Sequence, residues 1–344
     1  MNNLYIVESP LQVLCALEVS LGKKDEVHNI IVRTSGGVNI RNDDQILNLV
    51  NKFSWNSKTI INNKPNPGRY SIHFENKSLL ADIANKYKGK IKNLYIGEFR
   101  SSFMHMARVA VEAPNVTLLD DGAVSVRIIN NYINKGCYCP FSSFCPENKF
   151  KKLVYKLIYR KYINTDILNK RINVLTAFSN QESNNIEKLV FSNIKKLLKK
   201  ERYIDSSLVY YYGSKYSEVG IISQDYELLF LKRIKNFYDF KNKKIIYFAH
   251  REESEEKLDL FSKELDIKVI TSGTMAELYL LESKVLPVEI SGAYTSILNN
   301  VKVIFPEISL RSFKLKPEQV GYKWRKDIGL VYDYYQKLNI PIEE

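Results

Sequence analysis

Long apolar runs are missing from this 344-residue chain, and cysteine is scarce. No run of apolar residues reaches the roughly 20 that cross a bilayer, and the amino terminus has no basic region followed by an apolar stretch. The sequence therefore predicts a protein that stays in the compartment where it is made, the cytoplasm. There is also no Walker loop, no Gly-x-Gly-x-x-Gly and no Asp-x-Asp that would hold a nucleotide through a metal ion.

Four cysteines are too few for a disulfide scaffold. Cys137, Cys139 and Cys145 cluster in one loop with two prolines, and Cys15 lies far away on a predicted helix. The clustered thiols have no histidine nearby and fit no common zinc spacing. We interpret them as reduced loop residues, and the sequence predicts no metal site.

Basic residues outnumber acidic ones, which gives a formal net charge of +13. This excess favours an anionic partner: a charged substrate, an anionic membrane face or nucleic acid. Many of the basic residues lie between 147 and 202, where they alternate with apolar and aromatic side chains. Such basic amphipathic helices are typical of segments that lie on a membrane surface, and a solvated face on ordinary helices fits the pattern equally well.

Short apolar runs alternate with helical patterns along most of the chain, and its length favours two domains. This alternation predicts parallel sheets wound with helices. We therefore expect an α/β, GT-B-like architecture, in which two Rossmann-like domains have parallel sheets that face a central cleft.

The first domain is predicted at 1–203, with a basic helical insertion at about 147–202, and the second at 204–318, after a linker near 201–206. Residues 319–344 are predicted to form a helix that packs back on the first domain, with its aromatic residues in the core. In the second domain, we expect a short strand at 287–290, ending near Glu289, and a last strand at 301–305.

Asp120, Asp121 and Gly122 follow an apolar, strand-like run at 116–119. Loops at the carboxyl ends of parallel strands form the ligand crevice, so both carboxylates are expected where a substrate binds. Adjacent carboxylates repel each other, and a low dielectric raises the pKa of at least one of them, which suits a general base. The alternative is that Asp-Asp-Gly is only a polar turn.

Two further loops are expected at the same edge of the first sheet. Ser9 and Pro10 start a helix after the first strand, and Gln12 completes a capping box with Ser9. Capping alone accounts for Ser9 and Gln12 without any contact to a ligand. Arg100 follows another strand, where it either meets a carboxylate or forms a surface ion pair.

In the second domain, His250 follows a predicted strand, and Thr295 and Ser296 precede a predicted helix. Hydroxyl groups, backbone N–H groups and the helix dipole favour an anion at such a place. Read separately, a lone histidine is more often structural, and a Thr-Ser pair before a helix is more often a cap. Their common placement at one sheet edge favours a phosphate site. Residues at neighbouring strand ends complete the predicted donor contacts: Gly213, Ser272 and Gly273.

In this order, Asp120-Asp121-Gly122, His250 and Thr295-Ser296 resemble three motifs of bacterial sialyltransferases: acidic-acidic-Gly, His-Pro and Ser-Ser/Thr. The opening residues 6–12, Ile-Val-Glu-Ser-Pro-Leu-Gln, also resemble the start of the lipooligosaccharide sialyltransferases (glycosyltransferase family fifty-two) and of the related capsular polysialyltransferases. The matched residues are few but span most of the chain. Arg251 stands where the family has proline, and its charge would lie near the phosphate.

The resemblance implies an inverting transfer of sialic acid, or a related nonulosonic acid, from a CMP-activated donor to a hydroxyl of a bacterial lipooligosaccharide, O-antigen or capsule. Asp121 or Asp120 would be the general base, His250 would hydrogen-bond to or protonate the departing phosphate, and no metal or other cofactor would be needed. The remaining contacts are Thr295, Ser296, Arg251 and Glu289 at the donor, and Ser9, Gln12, Arg100 and Gly122 at the acceptor.

These expectations place the protein at the inner face of the cytoplasmic membrane, bound through its basic helices to anionic lipid and acting on a glycan or glycolipid. One alternative is a transferase for another activated sugar, such as Kdo or a UDP-sugar. A second is a basic nucleic-acid-binding or membrane-binding protein without catalysis. No recognisable nucleic-acid-binding motif supports the nucleic-acid alternative, and nucleic acid is not a predicted partner.

Overall fold

The computed structural model describes residues 2–63, 71–140, 148–178, 184–198 and 201–344. The chain divides into two compact units, Met1–Leu189 and Val190–Glu344. Each unit is built around a parallel sheet, as the alternating pattern predicted.

The first unit contains a seven-stranded sheet, counted over the described residues. Its strand order is β3-β2-β1-β4-β5-β6-β7, and Ile6 in the central strand pairs with Ile31 on one side and Ile96 on the other. The central strands are apolar because helices cover both faces of a parallel sheet. The strands are β1 (Asn2–Val7), β2 (Val27–Thr34), β3 (Ser57–Asn62), β4 (Asn93–Ile96), β5 (Asn115–Leu118), β6 (Asn173–Thr176) and β7 (Ile186–Lys188).

Several helices of the first unit begin where the sequence supplies a capping side chain. Ser9 caps the first helix and Pro10 occupies its first turn, and Ser101 caps the fourth. In the fourth helix, residues 103–111 are all buried, so the helix that follows the loop after β4 is packed into the core. The helices are α1 (Pro10–Gly22), α2 (Ile40–Lys52), α3 (Ser71–Tyr87), α4 (Ser102–Val111), α5 (Ala123–Asn131), α6 (Lys149–Ile158) and α7 (Thr165–Leu168).

The second unit repeats the same winding with six strands among the described residues, in the order β10-β9-β8-β11-β12-β13. The strands are β8 (Tyr203–Tyr212), β9 (Lys244–Phe248), β10 (Lys268–Ile270), β11 (Val285–Gly292), β12 (Ser309–Phe313) and β13 (Ile342–Glu343). The helices are α8 (Ser192–Leu197), α9 (Gln224–Phe240), α10 (Glu255–Leu265), α11 (Ala276–Glu282), α12 (Ser296–Ile304) and α13 (Tyr322–Lys337).

Both sheets reverse their winding direction beside their first strand. In the first unit β1 lies between β2 and β4, and in the second β8 lies between β9 and β11. Loops that leave such neighbouring strands diverge to opposite faces of the sheet, so a crevice opens at the carboxyl ends of the strands. The candidate residues of both units follow these strands.

The predicted last strand at 301–305 is wrong, because residues 296–304 form helix α12 and the strand follows it at β12. Ile297, Leu298, Val301 and Ile304 are buried at helical spacing. A short apolar run has the same composition in a buried helix as in a buried strand, and periodicity alone does not separate them.

The stretch at 147–202 was interpreted as a helical insertion, but it also supplies strands β6 and β7 to the first sheet. Both are short, and a run of three or four residues carries little periodic signal. The linker expected near 201–206 also differs from the structure, because residues 203–206 already belong to strand β8.

The terminal helix α13 buries three of its tyrosines, as predicted for core packing. The hydroxyl of Tyr332 accepts from the Leu315 N–H, that of Tyr334 donates to Asn299, and that of Tyr335 donates to the Thr295 carbonyl. Tyr322, by contrast, is 88% exposed. Packing of this helix against the first domain stays a prediction.

Candidate functional site

Asp121 lies beyond the carboxyl end of β5, at the start of the turn into α5. Its Oδ1 accepts a hydrogen bond of 2.9 Å from Nε2 of Gln12, and its Oδ2 lies 3.9 Å from Nη2 of Arg100. Gly122 follows with φ 70° and ψ −143°, a conformation that glycine adopts and side-chain-bearing residues avoid. The turn therefore holds a carboxylate that is 17% exposed.

The surroundings of Asp121 favour its protonated form. Burial and the neighbouring Glu98 carboxylate raise the pKa of Asp121 to about 8, against the opposing effects of Gln12 and Arg100. A carboxylate that exchanges its proton near neutral pH is matched to general-base catalysis.

Glu98 and Arg100 form a rigid pair in the loop after β4. The backbone N–H, Nε and Nη2 of Arg100 lie 2.7, 2.9 and 2.7 Å from the two carboxylate oxygens of Glu98. Burial alone would raise the pKa of Glu98, but the hydrogen bonds from Arg100 outweigh it and lower that pKa. Glu98 is therefore the ionised member beside a protonated Asp121.

Gln12 connects three strand ends of the first sheet. Its backbone N–H lies 3.4 Å from Oγ of Ser9, as expected of a capped helix, but its side chain accepts from the N–H of Glu8 instead of that of Ser9. The same amide donates to Asp121. A Cβ at Gly97 would lie 2.0 Å from Gln12 Oε1, so glycine at this position makes room for the link.

Asp120 has a different environment from its neighbour. It is fully buried and accepts four hydrogen bonds, from the N–H groups of Gly122 and Ala177 and from the hydroxyls of Ser125 and Thr176. Burial raises the pKa of Asp120, and these four donors act in the opposite direction. With every lone-pair direction occupied, Asp120 ties β5, α5 and β6 together, and Asp121 is the carboxylate that a substrate can reach.

The sequence patterns did not single out Glu98 as a partner of Asp121, nor Arg33 near the end of β2. Both line an open pocket of about 500 Å³ at this edge of the first sheet. Their position in the sequence could have identified them, because each residue lies at the carboxyl end of a strand next to the point where the winding direction reverses.

In the second unit, His250 follows β9 and is half-buried. Its Nδ1 accepts from the N–H of Glu252 at 3.2 Å, so a neutral imidazole carries its proton on Nε2. Burial and the positive charges of Arg251, Lys215 and Lys257 lower the pKa of His250 to about 3. His250 is accordingly a neutral hydrogen-bond donor in the free protein.

A buried ionic network fixes the His250 loop. The backbone N–H of His250 donates to the Glu253 carboxylate at 2.5 Å, and that carboxylate also binds the Tyr247 hydroxyl and the Lys257 ammonium. Lys257 in addition contacts Glu227 and Glu218 at 3.0 and 2.9 Å. A Cβ at Gly213 would lie 1.9 Å from the Tyr247 hydroxyl, so Gly213 makes room for this network. The structural role of Gly213 is therefore to support this network.

Thr295 and Ser296 start helix α12 just after β11. The Thr295 side chain makes no capping hydrogen bond to this helix, while the Tyr335 hydroxyl binds both the N–H and the carbonyl of Thr295 at 2.9 and 2.6 Å. A Cβ at Gly292 would lie 2.8 Å from the Thr295 methyl group. The uncapped helix start, with its two hydroxyls, is suited to an anion.

Glu289 lies inside β11, three residues before its end, and not at the end as the sequence suggested. Its two oxygens accept from Nε and Nη2 of Arg311 at 2.9 and 3.2 Å, and Oε1 also accepts from Tyr238. These partners occupy the carboxylate that was expected to contact the donor.

The remaining donor candidates lie at other strand ends. Ser272 and Gly273 follow edge strand β10, where Gly273 is exposed and the Ser272 hydroxyl accepts from the Thr274 N–H. Among the described cysteines, Cys137 and Cys139 form no disulfide, and Cys145 lies outside the described residues. Within the described ranges, no group of three potential metal ligands comes together.

The chain matches no protein-family model. No curated protein matches its sequence. Several solved structures match nearly its whole length, among them a sialyltransferase and an epimerase. An α/β-galactoside α-2,3-sialyltransferase from Photobacterium phosphoreum shares 11% identity at a TM-score of 0.50, covering 99% of this chain and 98% of its own. A UDP-GlcNAc 2-epimerase from Neisseria meningitidis shares 12% identity at a TM-score of 0.50, covering 99% and 95%. At such identity the likeness shows the fold alone, and it confirms the predicted α/β, GT-B-like class.

Proposed function

We propose that this chain is an inverting glycosyltransferase that moves sialic acid, or a related nonulosonic acid, from a CMP-activated donor to a hydroxyl of a bacterial surface glycan. The observation that carries the proposal is the environment of Asp121, a partly exposed carboxylate whose pKa is raised to about 8 at the winding reversal of the first sheet. The order of the motifs along the chain supports CMP as the nucleotide.

The reaction would proceed by displacement at the anomeric carbon. Ionised Asp121 takes the proton of the acceptor hydroxyl, whose oxygen forms the new glycosidic bond while the bond from the anomeric carbon to the phosphate oxygen breaks. Gln12 and the Glu98–Arg100 pair hold the base in place. Asp120 supports the turn and is not the base, because its lone pairs are filled.

The second unit would receive the departing phosphate. His250 offers its Nε2–H, and Thr295 and Ser296 offer hydroxyl and backbone donors at the start of α12. Such fixed donors stabilise developing negative charge without rearranging. Because the pKa of His250 is lowered to about 3, it acts as a hydrogen-bond donor rather than as an acid until phosphate binding raises that pKa. No metal ion is part of the proposed chemistry.

Contact with an anionic membrane is the proposed setting. Helix α6 exposes Leu153 and Leu157, at 56% and 63%, next to exposed lysines 149, 151, 152 and 156. Basic side chains that surround exposed apolar ones favour the headgroup region of anionic lipids. Among the described helices, none is long and apolar enough to cross a membrane.

The direct test is CMP release from CMP-sialic acid, with and without a panel of galactosides, in wild type and Asp121→Asn. Acceptor-dependent release that collapses in the variant is expected. Competition by CMP, UDP and GDP tests the alternatives: preference for UDP would point to a transferase for another activated sugar. Salt-dependent nucleic-acid binding without nucleotide affinity would overturn the enzyme assignment.

A further inference from the structure

Arg33 is a buried cation with one group, Nε–H, that finds no acceptor among the described residues. It lies near the end of β2, is 9% exposed, and its guanidinium stacks on the Phe103 ring at 4.1 Å. Nη2 donates to Asn63 at 3.1 Å, and Nη1 is 3.6 Å from a Glu8 oxygen, too far for a good hydrogen bond. Among the described residues, no acceptor lies within hydrogen-bond distance of Nε.

An arginine in this state is costly. Burying a guanidinium removes its hydration, and the loss is recovered only when its N–H groups find acceptors. Burial accordingly lowers the pKa of Arg33, while burial also raises the pKa of Glu8, its nearest carboxylate. Glu8 is therefore a weak counter-ion, and a bound anion would complete the site.

The open pocket of about 500 Å³ brings a second set of donors to the same place. Arg33 lines it together with Arg100, Ser101 and Ser102. Ser101 caps the ten-residue helix α4 through a 3.4 Å contact from the Met104 N–H, so the first turn of this helix begins at the pocket. The positive end of a helix and a buried guanidinium together favour a carboxylate or phosphate group.

We infer that this pocket binds an anionic group, a carboxylate or a phosphate, carried by the acceptor sugar. The inference rests on the proposed function, because the pocket also contains Glu98 and Arg100, which contact Asp121 or lie beside it. An acceptor whose hydroxyl reaches Asp121 would place a charged substituent against Arg33. A neutral sugar would leave Arg33 with only its contacts to Asn63 and to the more distant Glu8 carboxylate among the described residues.

The test compares three acceptors with CMP-sialic acid as donor: methyl β-galactoside, its uronic acid, and its 6-phosphate. In wild type, one anionic acceptor is expected to have a KM at least about tenfold below that of the neutral one, as befits hydrogen bonds to charged groups. The better of the two identifies the anion as carboxylate or phosphate.

In Arg33→Gln the ratio of the KM of the neutral acceptor to that of the preferred anionic acceptor is expected to fall to within about twofold of one. Arg33→Lys, which keeps the charge but loses the planar fork, should lie in between. Arg171→Gln removes an equally positive but exposed residue that does not line the pocket, and it should keep the wild-type ratio.

A second variant, Ser102→Pro, keeps the inference testable if Arg33→Gln fails to fold. Ser102 is the first residue of α4, where proline is tolerated, and Ser101 has φ −78° and ψ 110°, which is compatible with a following proline. Ser102→Pro removes one N–H and one hydroxyl from the pocket without disturbing Arg33. It should reduce the preference for the anionic acceptor by a smaller factor than Arg33→Gln.

Calorimetric binding of the same three sugars without donor separates the two proposals. If no acceptor is used but the anionic sugars bind in an Arg33-dependent way, the proposed transferase fails and the anion site stands. If the neutral galactoside is a substrate and neither anionic sugar binds or reacts better, the anion site is overturned. A preference that survives in Arg33→Gln overturns it as well.

Discussion

The two units share a strand order and differ in the charge that they place at the carboxyl ends of the strands. The first unit gathers carboxylates, with Asp121 and Glu98 beside β5 and β4. The second gathers hydrogen-bond donors, with His250 after β9, Arg251 beside it, and the uncapped start of α12 after β11. A common backbone therefore fixes where chemistry is placed, and the side chains decide whether that place accepts protons or binds an anion.

The supports behind the two sites also differ. Asp120 is a buried carboxyl group that accepts from four neutral donors, whereas Lys257 is a cation in contact with three carboxylates. Each support holds the backbone at or next to a candidate site residue: Asp120 binds the Gly122 N–H, and Glu253 in the Lys257 network binds the His250 N–H. Neither support was recognisable as such from sequence.

The strongest test of this comparison is to change the two adjacent aspartates, Asp120 and Asp121, separately. Asp121→Asn should lower acceptor-dependent CMP release by about 10²- to 10⁴-fold, because a general base is lost, and leave folding intact. Asp120→Asn should instead lower the free energy of unfolding by about 2–4 kcal/mol, because buried donors lose their charged acceptor. Steady-state kinetics and denaturant unfolding measure the two effects.

The pH dependence of the free energy of unfolding is a control on the environment of Asp121. The pKa of Asp121 is raised on folding, so the folded state resists its ionisation and loses stability as pH rises from about 4 through about 8. Asp121→Asn should therefore be more stable than wild type at pH 9 and little different at pH 4. Equal stability of both proteins at pH 9 would show that Asp121 is not held in this environment.

Changing His250 tests the donor side. His250→Ala should lower CMP release by about 10- to 100-fold, because one fixed donor to the leaving phosphate is lost. His250→Gln keeps a side-chain N–H and should recover part of the loss, since the imidazole acts as a neutral donor. Single-turnover kinetics with CMP-sialic acid measure the effect.

The nucleotide affinity of the same variants separates the two units. CMP binding should weaken in His250→Ala and stay within about twofold of wild type in Asp121→Asn, because the base does not bind the phosphate. Weakened CMP binding in Asp121→Asn alone would contradict the assignment of acceptor chemistry to the first unit and donor chemistry to the second.

Gly97→Ala tests the link that positions Asp121. The new Cβ would lie 2.0 Å from Gln12 Oε1, so the buried amide must move and release its hydrogen bond to Asp121. We expect CMP release to fall by about tenfold, with a loss of about 1–2 kcal/mol in stability from the broken hydrogen bonds.

Gly329→Ala is the matched control, because nothing lies within 4 Å of the Cβ that it would add to α13. Replacing a glycine inside a helix should raise stability by about 0.5–1 kcal/mol and leave activity unchanged. Equal losses of activity in both variants would indicate that Gly97 has no special relation to Gln12.

The smallest expected effect is a shift of the pH–rate profile in Glu98→Gln. Ionised Glu98 raises the pKa of Asp121, so removing its charge should lower that pKa and move the rising limb to lower pH, by roughly half to one unit. Rates are measured from pH 5 to 10. Glu112→Gln removes an exposed carboxylate paired with Lys88 and should leave the profile in place; a shift upward in Glu98→Gln would refute the coupling.

Most of the architecture followed from local sequence signals. The alternation of apolar runs with capped helices predicted two parallel α/β units, and Ser9, Pro10 and Ser101 mark helix starts that the structure contains. The predicted elements were wrong where the local signal is weak: residues 301–304 are helical, and β6 and β7 are too short to show a period.

The sequence by itself placed Asp120 and Asp121, His250 and Thr295 at strand ends, because parallel winding brings every carboxyl end to one edge of a sheet. Only the tertiary structure separated the two aspartates. Asp120 is buried, and its four donors lie in the turn before α5, in α5, in β6 and just after β6, up to 57 residues away in the chain. The same holds for Gln12, which reaches Asp121 across 109 residues, and for Glu98. A pKa depends on burial and on charges from several strands, and those quantities exist only after the chain has folded.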